Sequence, residues 1–259
     1  MDLLSPLLLV LMIGSVFTDD DAGGRDAKRA GRRRTGGPPK KTTAREMTKP
    51  TSTTTNIVDK LLHYYNKQEH PMKDRPTEVR LGIYVNSFYS ISEQTMDYSL
   101  NFYFRQAWQD PRLKFEPIGE LKKIKMEDAK VNHLWLPDTF FRNEKGASFH
   151  TVTVPNRLLR LNASGHVWYV TKISATLSCP MKLQKYPLDT QMCPMMFESF
   201  GYTMDVMYFS WLDSPVDVDK GVQLPQFTLQ DVILYDCSQN YTAGLYARPM
   251  QAHSSLYKN

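Results

Sequence analysis

Long apolar runs are what this chain most conspicuously lacks. Beyond the first 18 residues no segment approaches the roughly 18 consecutive apolar residues that span a bilayer, so no membrane anchor of its own is expected. Cysteine is scarce as well: there are three, which allow one intrachain pair and leave one thiol over. No recognised nucleophile, base and orienter motif links the serines, histidines and aspartates, so an enzyme is not expected, nor a cofactor or metal. The formal charge is +5, but the excess is local. Lys28, Arg29, Arg32, Arg33, Arg34, Lys40 and Lys41 stand among Gly, Pro and Thr, as in a solvated tail. No aromatic residue is interleaved there to stack bases, which removes nucleic acid as a partner. Arg32-Arg33-Arg34 stays open as a dibasic processing site.

What is present divides the chain in four. Residues 1–18 carry a short apolar core followed by acids, the pattern of a secretory signal peptide, although the usual positive n-region is missing. Residues 19–56 are poor in large apolar residues and read as a disordered basic leader. Ile57, Val58, Leu61, Leu62 and Tyr65 then fall at helical spacing, giving one short amphipathic helix. From Val79 the period changes to two. Val79, Leu81, Ile83 and Val85 alternate with polar or small residues, and Tyr98, Leu100, Phe102 and Phe104 share one face of a second strand while Tyr103 and Arg105 share the other. Further strand signals lie at Phe140-Phe141, Leu158 to Leu161, His166 to Leu177, Met195 to Phe200, Met207 to Trp211 and Phe227 to Tyr235. Many short strands and one helix predict an all-β fold, an immunoglobulin-like twisted β-sandwich, over residues 57–244. Asn162 and Asn240 open N-x-S/T sequons, consistent with glycans on an exported surface.

Cys179 and Cys193 bracket thirteen residues containing Tyr186-Pro187-Leu188-Asp189. The pattern C-P-M-x-L-x-x-Y-P-x-D-x-Q-x-C resembles the signature loop of the Cys-loop (pentameric ligand-gated ion channel) receptors. Glu198-Ser199-Phe200-Gly201-Tyr202 narrows the likeness to the anion-selective, glycine-receptor-like branch. Val85-Asn86-Ser87-Phe88, Phe104-Arg105-Gln106, Trp108, Asp110-Pro111-Arg112-Leu113, Trp135 to Asp138, Asn143 to Ala147, Phe149-His150 and Leu224-Pro225-Gln226-Phe227 are similar to successive pieces of a glycine receptor α-type extracellular domain. The likeness runs from about Leu61 to Gly244.

The resemblance implies a Cys179–Cys193 disulfide, a helix on a twisted sandwich, and homo- or hetero-pentamers that hold a small amino-acid neurotransmitter between subunits. It implies Arg105 as the cation for the ligand carboxylate through paired hydrogen bonds. Glu198 and Phe200, with Tyr241 and Tyr246 from a closing loop, would receive the ammonium. Tyr103 and Phe140 would complete an aromatic box. Read without the family, Arg105 is a solvated strand residue, Phe200 a core residue and Tyr241 a surface tyrosine. Several positions depart from the glycine-receptor pattern. Val170 replaces a hydroxyl residue, Lys172 an arginine and Ala243 a threonine, while Asn86 stands where glutamate-gated relatives carry a second arginine. Cys237 matches half of a second disulfide whose partner position is Arg248, so it is expected unpaired. His150 is half of a zinc pair whose companion is Ser148, and one imidazole does not make a zinc site. Residues 245–259 read as a divergent tail, with the family's last strand and membrane helices absent. The expected location is the extracellular face of the plasma membrane, or outside the cell if the short chain is the product. The rival readings are a secreted, ring-forming transmitter-binding protein and a non-conducting truncated isoform.

Overall fold

The computed structural model describes residues 53–186, 189–224, 226–236, 240–241, 244–245 and 250–258. The signal peptide, nearly all of the basic leader, Cys237 and Tyr246 lie outside the described residues, as do the side chains of Asn240 and Tyr241. Helix α1 spans Thr53–His63. It therefore starts four residues before the first apolar contact, inside the stretch that composition assigns to the leader. A helix needs a turn of backbone ahead of its first packed residue, and threonines carry no hydrophobic signal of that turn. Val58 is buried, and Ile57, Leu61, Leu62 and Tyr65 pack on the core.

Two sheets make the sandwich. The larger contains β1 (Thr77–Ser92), β2 (Asp97–Gln109), β3 (Lys123–Lys125), β5 (Glu144–Phe149), β6 (Arg157–Asn162), β7 (His166–Ser178) and β9 (Met207–Val218). Its order is β3-β6-β7-β2-β1-β9, with β5 also paired to β7. β6 takes one half of that edge of β7, residues 167–171, and β5 takes the other, residues 173–177. The β1–β9 pair is parallel. The smaller sheet has the order β10-β13-β8-β4, with β4 at Thr139–Phe141, β8 at Thr190–Ser199, β10 at Phe227–Asp236 and β13 at Met250–Lys258. A short helix α2 (Asp128–Val131) precedes β4, and β11 (Asn240–Tyr241) pairs with β12 (Gly244–Leu245).

Strand β13 corrects the expected tail. Met250–Lys258 pairs antiparallel with both β10 and β8, placing it in the interior of the small sheet. Met250, Ala252 and Leu256 are buried. The stretch is too polar, with Gln251, His253, Ser254 and Ser255, to announce a strand, but its neighbours on both sides supply the ladder that its composition does not.

The alternation read along β1 and β2 holds: Val79, Leu81, Ile83, Val85, Tyr98, Leu100, Phe102 and Phe104 are all buried. Between the sheets, the rings of Phe102, Phe104, Phe141, Phe197 and Trp211 meet at centroid separations of 5.5–5.8 Å. The Cys179–Cys193 disulfide is formed, with Cα atoms 4.9 Å apart. It joins the residue after β7 in the large sheet to β8 in the small one, and both cysteines are buried. Met96, in the left-handed region, ends the β1–β2 turn, and its carbonyl accepts the Cys179 N–H at 2.8 Å. At the opposite end of β7, Gly165 has φ +81°, and a Cβ there would stand 2.4 Å from the Asp110 carbonyl, so the β6–β7 turn admits only glycine without rearrangement.

Candidate functional site

The first cluster forms on the edge of the small sheet. β4 runs antiparallel to β8, so Phe141 faces Phe197 in the core and Phe140 stands beside Glu198 on the other face. Glu198 is buried and pairs with Arg142, Nε to Oε2, at 3.6 Å. Phe200, just past the end of β8, is 79% exposed, and its ring meets Phe140 edge-on at 5.8 Å.

Asp138 builds the loop that presents Phe200. Its Oδ1 accepts from the Ser199 hydroxyl and its Oδ2 from the Gly201 N–H, both at 2.6 Å. The Phe200 N–H donates to the Asp138 carbonyl at 3.3 Å. Ser199 Oγ in turn accepts the Tyr202 N–H, and Tyr202 Oη accepts from Trp135 Nε1 at 3.0 Å. The Trp135 backbone N–H reaches the Tyr65 hydroxyl, so a hydrogen-bonded line runs from the end of α1 to the loop under Phe200. Trp135-Leu136-Pro137-Asp138 reads in sequence only as a bend; its role in holding another loop needs the fold.

The second cluster lies on the outward face of the large sheet. Tyr103 and Arg105 of β2 face away from the core, with Tyr103 opposite Lys172 of β7 and Arg105 opposite Val170. Tyr103 is exposed and 6.3 Å from the Tyr84 ring. Arg105 departs from its expected geometry. Its Nη1 donates to Asp217 at 2.7 Å, and its Nη2 donates to the carbonyls of Ile83 and Ser214 at 2.8 and 2.9 Å. The side chain is only 16% exposed, and among the described residues its buried Nε has no partner. The paired hydrogen bonds expected toward a ligand are thus directed to β9 and the backbone. Gly82 makes this possible: a Cβ there would lie 2.7 Å from Leu212 and 3.2 Å from Arg105 Nε. The Ser214 hydroxyl, and after it Arg105, hold the Asp217 carboxyl below the usual carboxylate range. Sequence reasoning missed Asp217, because nothing in the spacing of residues 105 and 217 announces a contact across strands β1 and β9.

Lys172 differs from Arg105. It is half-buried on the same face beside Tyr103, and among the described residues its ammonium has neither a hydrogen bond nor an ion pair. Asn86, by contrast, donates to Asn101 Oδ1 at 3.0 Å. His150 Nε2 sits within hydrogen-bonding distance of Ser174 and Asn101, and no group of three possible metal ligands occurs among the described residues. The sequon residue Asn162 ends β6, opposite Lys123.

A third cluster sits at the disulfide end. Lys258, the last residue of β13, bonds Glu93 of the β1–β2 turn and lies 4.1 Å over the Tyr186 ring. Its backbone N–H donates to the Asp189 carbonyl at 3.2 Å. The Lys258 hydrogen bond holds Glu93 below the usual carboxylate range. One side chain therefore ties the bracketed loop, the β1–β2 turn and the final strand together. It went unnoticed in the sequence because it falls in the supposed tail.

Residues 54–255 match the family model of the neurotransmitter-gated ion-channel ligand-binding domain. The chain belongs to that family. The match covers most of the chain and runs past Gly244 into β13, in agreement with the strand seen there. Neurotransmitter-gated ligand-binding domains belong to pentameric channels and are not enzymes. Among the described residues no helix is long and apolar enough to cross a membrane. The first two clusters of this ligand-binding domain lie on different sheets with the core between them, and the described residues of one chain do not bring them together.

Proposed function

We propose that this domain belongs to an anion-conducting channel subunit and recognises a small zwitterionic amino acid, of the size of glycine or GABA, between adjoining subunits. One observation carries the reading: the aromatic and acidic cluster and the cationic and phenolic cluster occupy separate sheets. A zwitterion needs both, so each subunit supplies half of a site that its neighbour completes. Phe140, Phe200 and Glu198 receive the ammonium, through ring faces and a carboxylate. Tyr103 and Lys172 receive the carboxylate, with Arg105 lending positive field from behind rather than direct hydrogen bonds. Tyr241 and Tyr246 close over the ligand. The Asn86–Asn101 pairing supports a ligand with a single carboxylate, since no second cation stands there. Ligand closure reaches the pore side through the Cys179–Cys193 loop, which Lys258 joins to the β1–β2 turn. Glycans at Asn162 and Asn240 accord with an exported domain.

Isothermal titration of the secreted protein against glycine, GABA, glutamate and histamine tests the reading. Loss of a charge-assisted hydrogen bond costs about 1.5–3 kcal/mol, so Lys172→Ala is expected to weaken binding of the preferred amino acid by at least about tenfold. Phe200→Ala does the same through the other half of the site. Arg105→Ala weakens binding less than Lys172→Ala. Absence of binding to every zwitterion by an assembled pentamer overturns the proposal, as does unchanged affinity in both Lys172→Ala and Phe200→Ala.

A further inference from the structure

A cavity of about 380 Å³ opens within a single subunit, between edge strand β4 and strands β2, β5 and β7. That volume falls in the range of roughly 300–1,000 Å³ typical of small-molecule sites. Its walls include the rings of Phe104, Phe140 and Phe149. Phe149 belongs to β5, a strand exposed along its whole length, and lines the cavity on its solvent side.

Two polar side chains interrupt the apolar wall where the alternation of β2 and β7 points inward. Gln106 is 5% exposed and Thr171 is 3% exposed, and both line the cavity. Gln106 Oε1 accepts the Thr139 hydroxyl at 3.0 Å. Among the described residues, the Gln106 amide nitrogen and the Thr171 hydroxyl have no hydrogen-bond partner. Both residues line the cavity, so these groups are free to bond a polar atom of something held there. At the mouth, Glu144 lines the same cavity, is exposed, and has no ion pair among the described residues.

We propose that this cavity binds a small arylalkylamine bearing a ring hydroxyl, at a site distinct from the one between subunits. The aromatic ring lies among Phe104, Phe140 and Phe149, where edge and face contacts add to area burial. The ring hydroxyl bonds Gln106 and Thr171, and the ammonium pairs with Glu144. A neutral apolar ligand would leave both inner polar groups unsatisfied, and an anion would meet Glu144. The site lies wholly within one chain, so it is present in every copy of this chain. Phe140 borders both sites and is therefore not a diagnostic position.

The test is titration of the intact secreted protein with tyramine, phenethylamine and p-cresol. Tyramine is expected to bind saturably, with phenethylamine and p-cresol each weaker by at least about fivefold, since each lacks one of its two polar groups. Glu144→Gln, on the surface, weakens tyramine to the level of p-cresol and leaves p-cresol itself unchanged. Thr171→Val, which keeps the shape, weakens tyramine and leaves phenethylamine unchanged. Amino-acid binding at the interface, read in the same samples, is unaffected by either substitution, so failure of the interface reading and failure of this one are separable. Absence of saturable tyramine binding overturns the proposal, as does equal affinity for all three probes. Loss of tyramine binding in Phe200→Ala with retention in both cavity variants also overturns it, by moving the ligand to the interface.

Discussion

Asp110→Ala is expected to be among the most damaging single substitutions in the sandwich. Asp110 is 0% exposed, yet it is a carboxylate at the end of β2. Its Oδ1 accepts from Arg112 Nε at 2.9 Å and from the Arg112 backbone N–H at 3.1 Å. Its Oδ2 accepts from Arg112 Nη2 at 2.8 Å and from the Tyr65 hydroxyl at 2.7 Å. Arg112 is also bonded to the carbonyls of Asn66 and Glu69 and stacks 4.3 Å over the Tyr65 ring, so the pair fastens the segment after α1 to the sheet. Removing one partner of a buried ion pair costs about 3–5 kcal/mol, and because Arg112 keeps its carbonyl bonds the lower end, ~3 kcal/mol, applies. At ~2–4 °C per kcal/mol for a domain of this size, the midpoint falls by ~6–12 °C. Urea and thermal melts of the secreted domain measure it. Tyr65→Phe removes three hydrogen bonds, the one the hydroxyl donates to Asp110 and those it accepts from Arg112 Nη2 and the Trp135 N–H, each worth about 1 kcal/mol, and in the Asp110→Ala background, where the first is already lost, it should cost correspondingly less. A fall in midpoint of less than roughly 2 °C for Asp110→Ala, or strict additivity of the two changes, would refute the argument that these groups act as one unit.

Replacing Cys179 and Cys193 together by alanine opens a 15-residue loop whose ends are 14 apart in sequence, and should cost about 3 kcal/mol in the same melts; an unchanged midpoint would show that the sheets hold without the bond. Asp138→Ala leaves the Ser199 hydroxyl and Gly201 N–H without their acceptor, at a cost of about 1–3 kcal/mol, and hydrogen exchange should show Gly201 losing protection while the interior of β8 keeps its own. Acid should act in two stages. Burial, and after it Arg80, depresses the His166 pKa, and burial depresses that of His253, so the unfolded chain binds those protons first and stability starts to fall as pH drops below about 6.5. The Lys145 hydrogen bond to Asp97 and the Lys258 hydrogen bond to Glu93 hold both carboxyls low. Their contribution is intact at neutral pH and is lost below about pH 4, as the unfolded carboxylates protonate ahead of the folded ones. His166→Gln should remove part of the first stage only; a midpoint flat from pH 7 to 5 in the parent protein would contradict it.

Much of this fold is legible in the chain because burial imposes a period. Where one face of a strand is covered, as in β1, β2 and β7, the alternation of apolar side chains gives both the element and its inward face. The Cys179–Cys193 loop is legible by its spacing and its interior, and the family it points to is the one that matches. β5 is invisible to the same reasoning because every residue in it is exposed. β13 is invisible because its neighbours, rather than its own side chains, make it a strand. At the site, Phe140, Glu198 and Phe200 are named by motif and the structure brings them together. Arg105 is named by motif too, but its motif carries no information about Asp217.

The sequence by itself determined the sandwich, its buried faces and the disulfide that joins the sheets, because these depend on local period and on the identity of residues close along the chain. The tertiary structure alone decided which polar groups remain available. Asp217 comes from 112 residues away to engage Arg105, Lys172 is left uncommitted beside Tyr103 among the described residues, and Gln106 and Thr171 face a cavity instead of packed core. Hydrogen-bonding capacity is consumed by whatever the fold brings within about 3 Å, and no reading of spacing along the chain can tell which partner arrives.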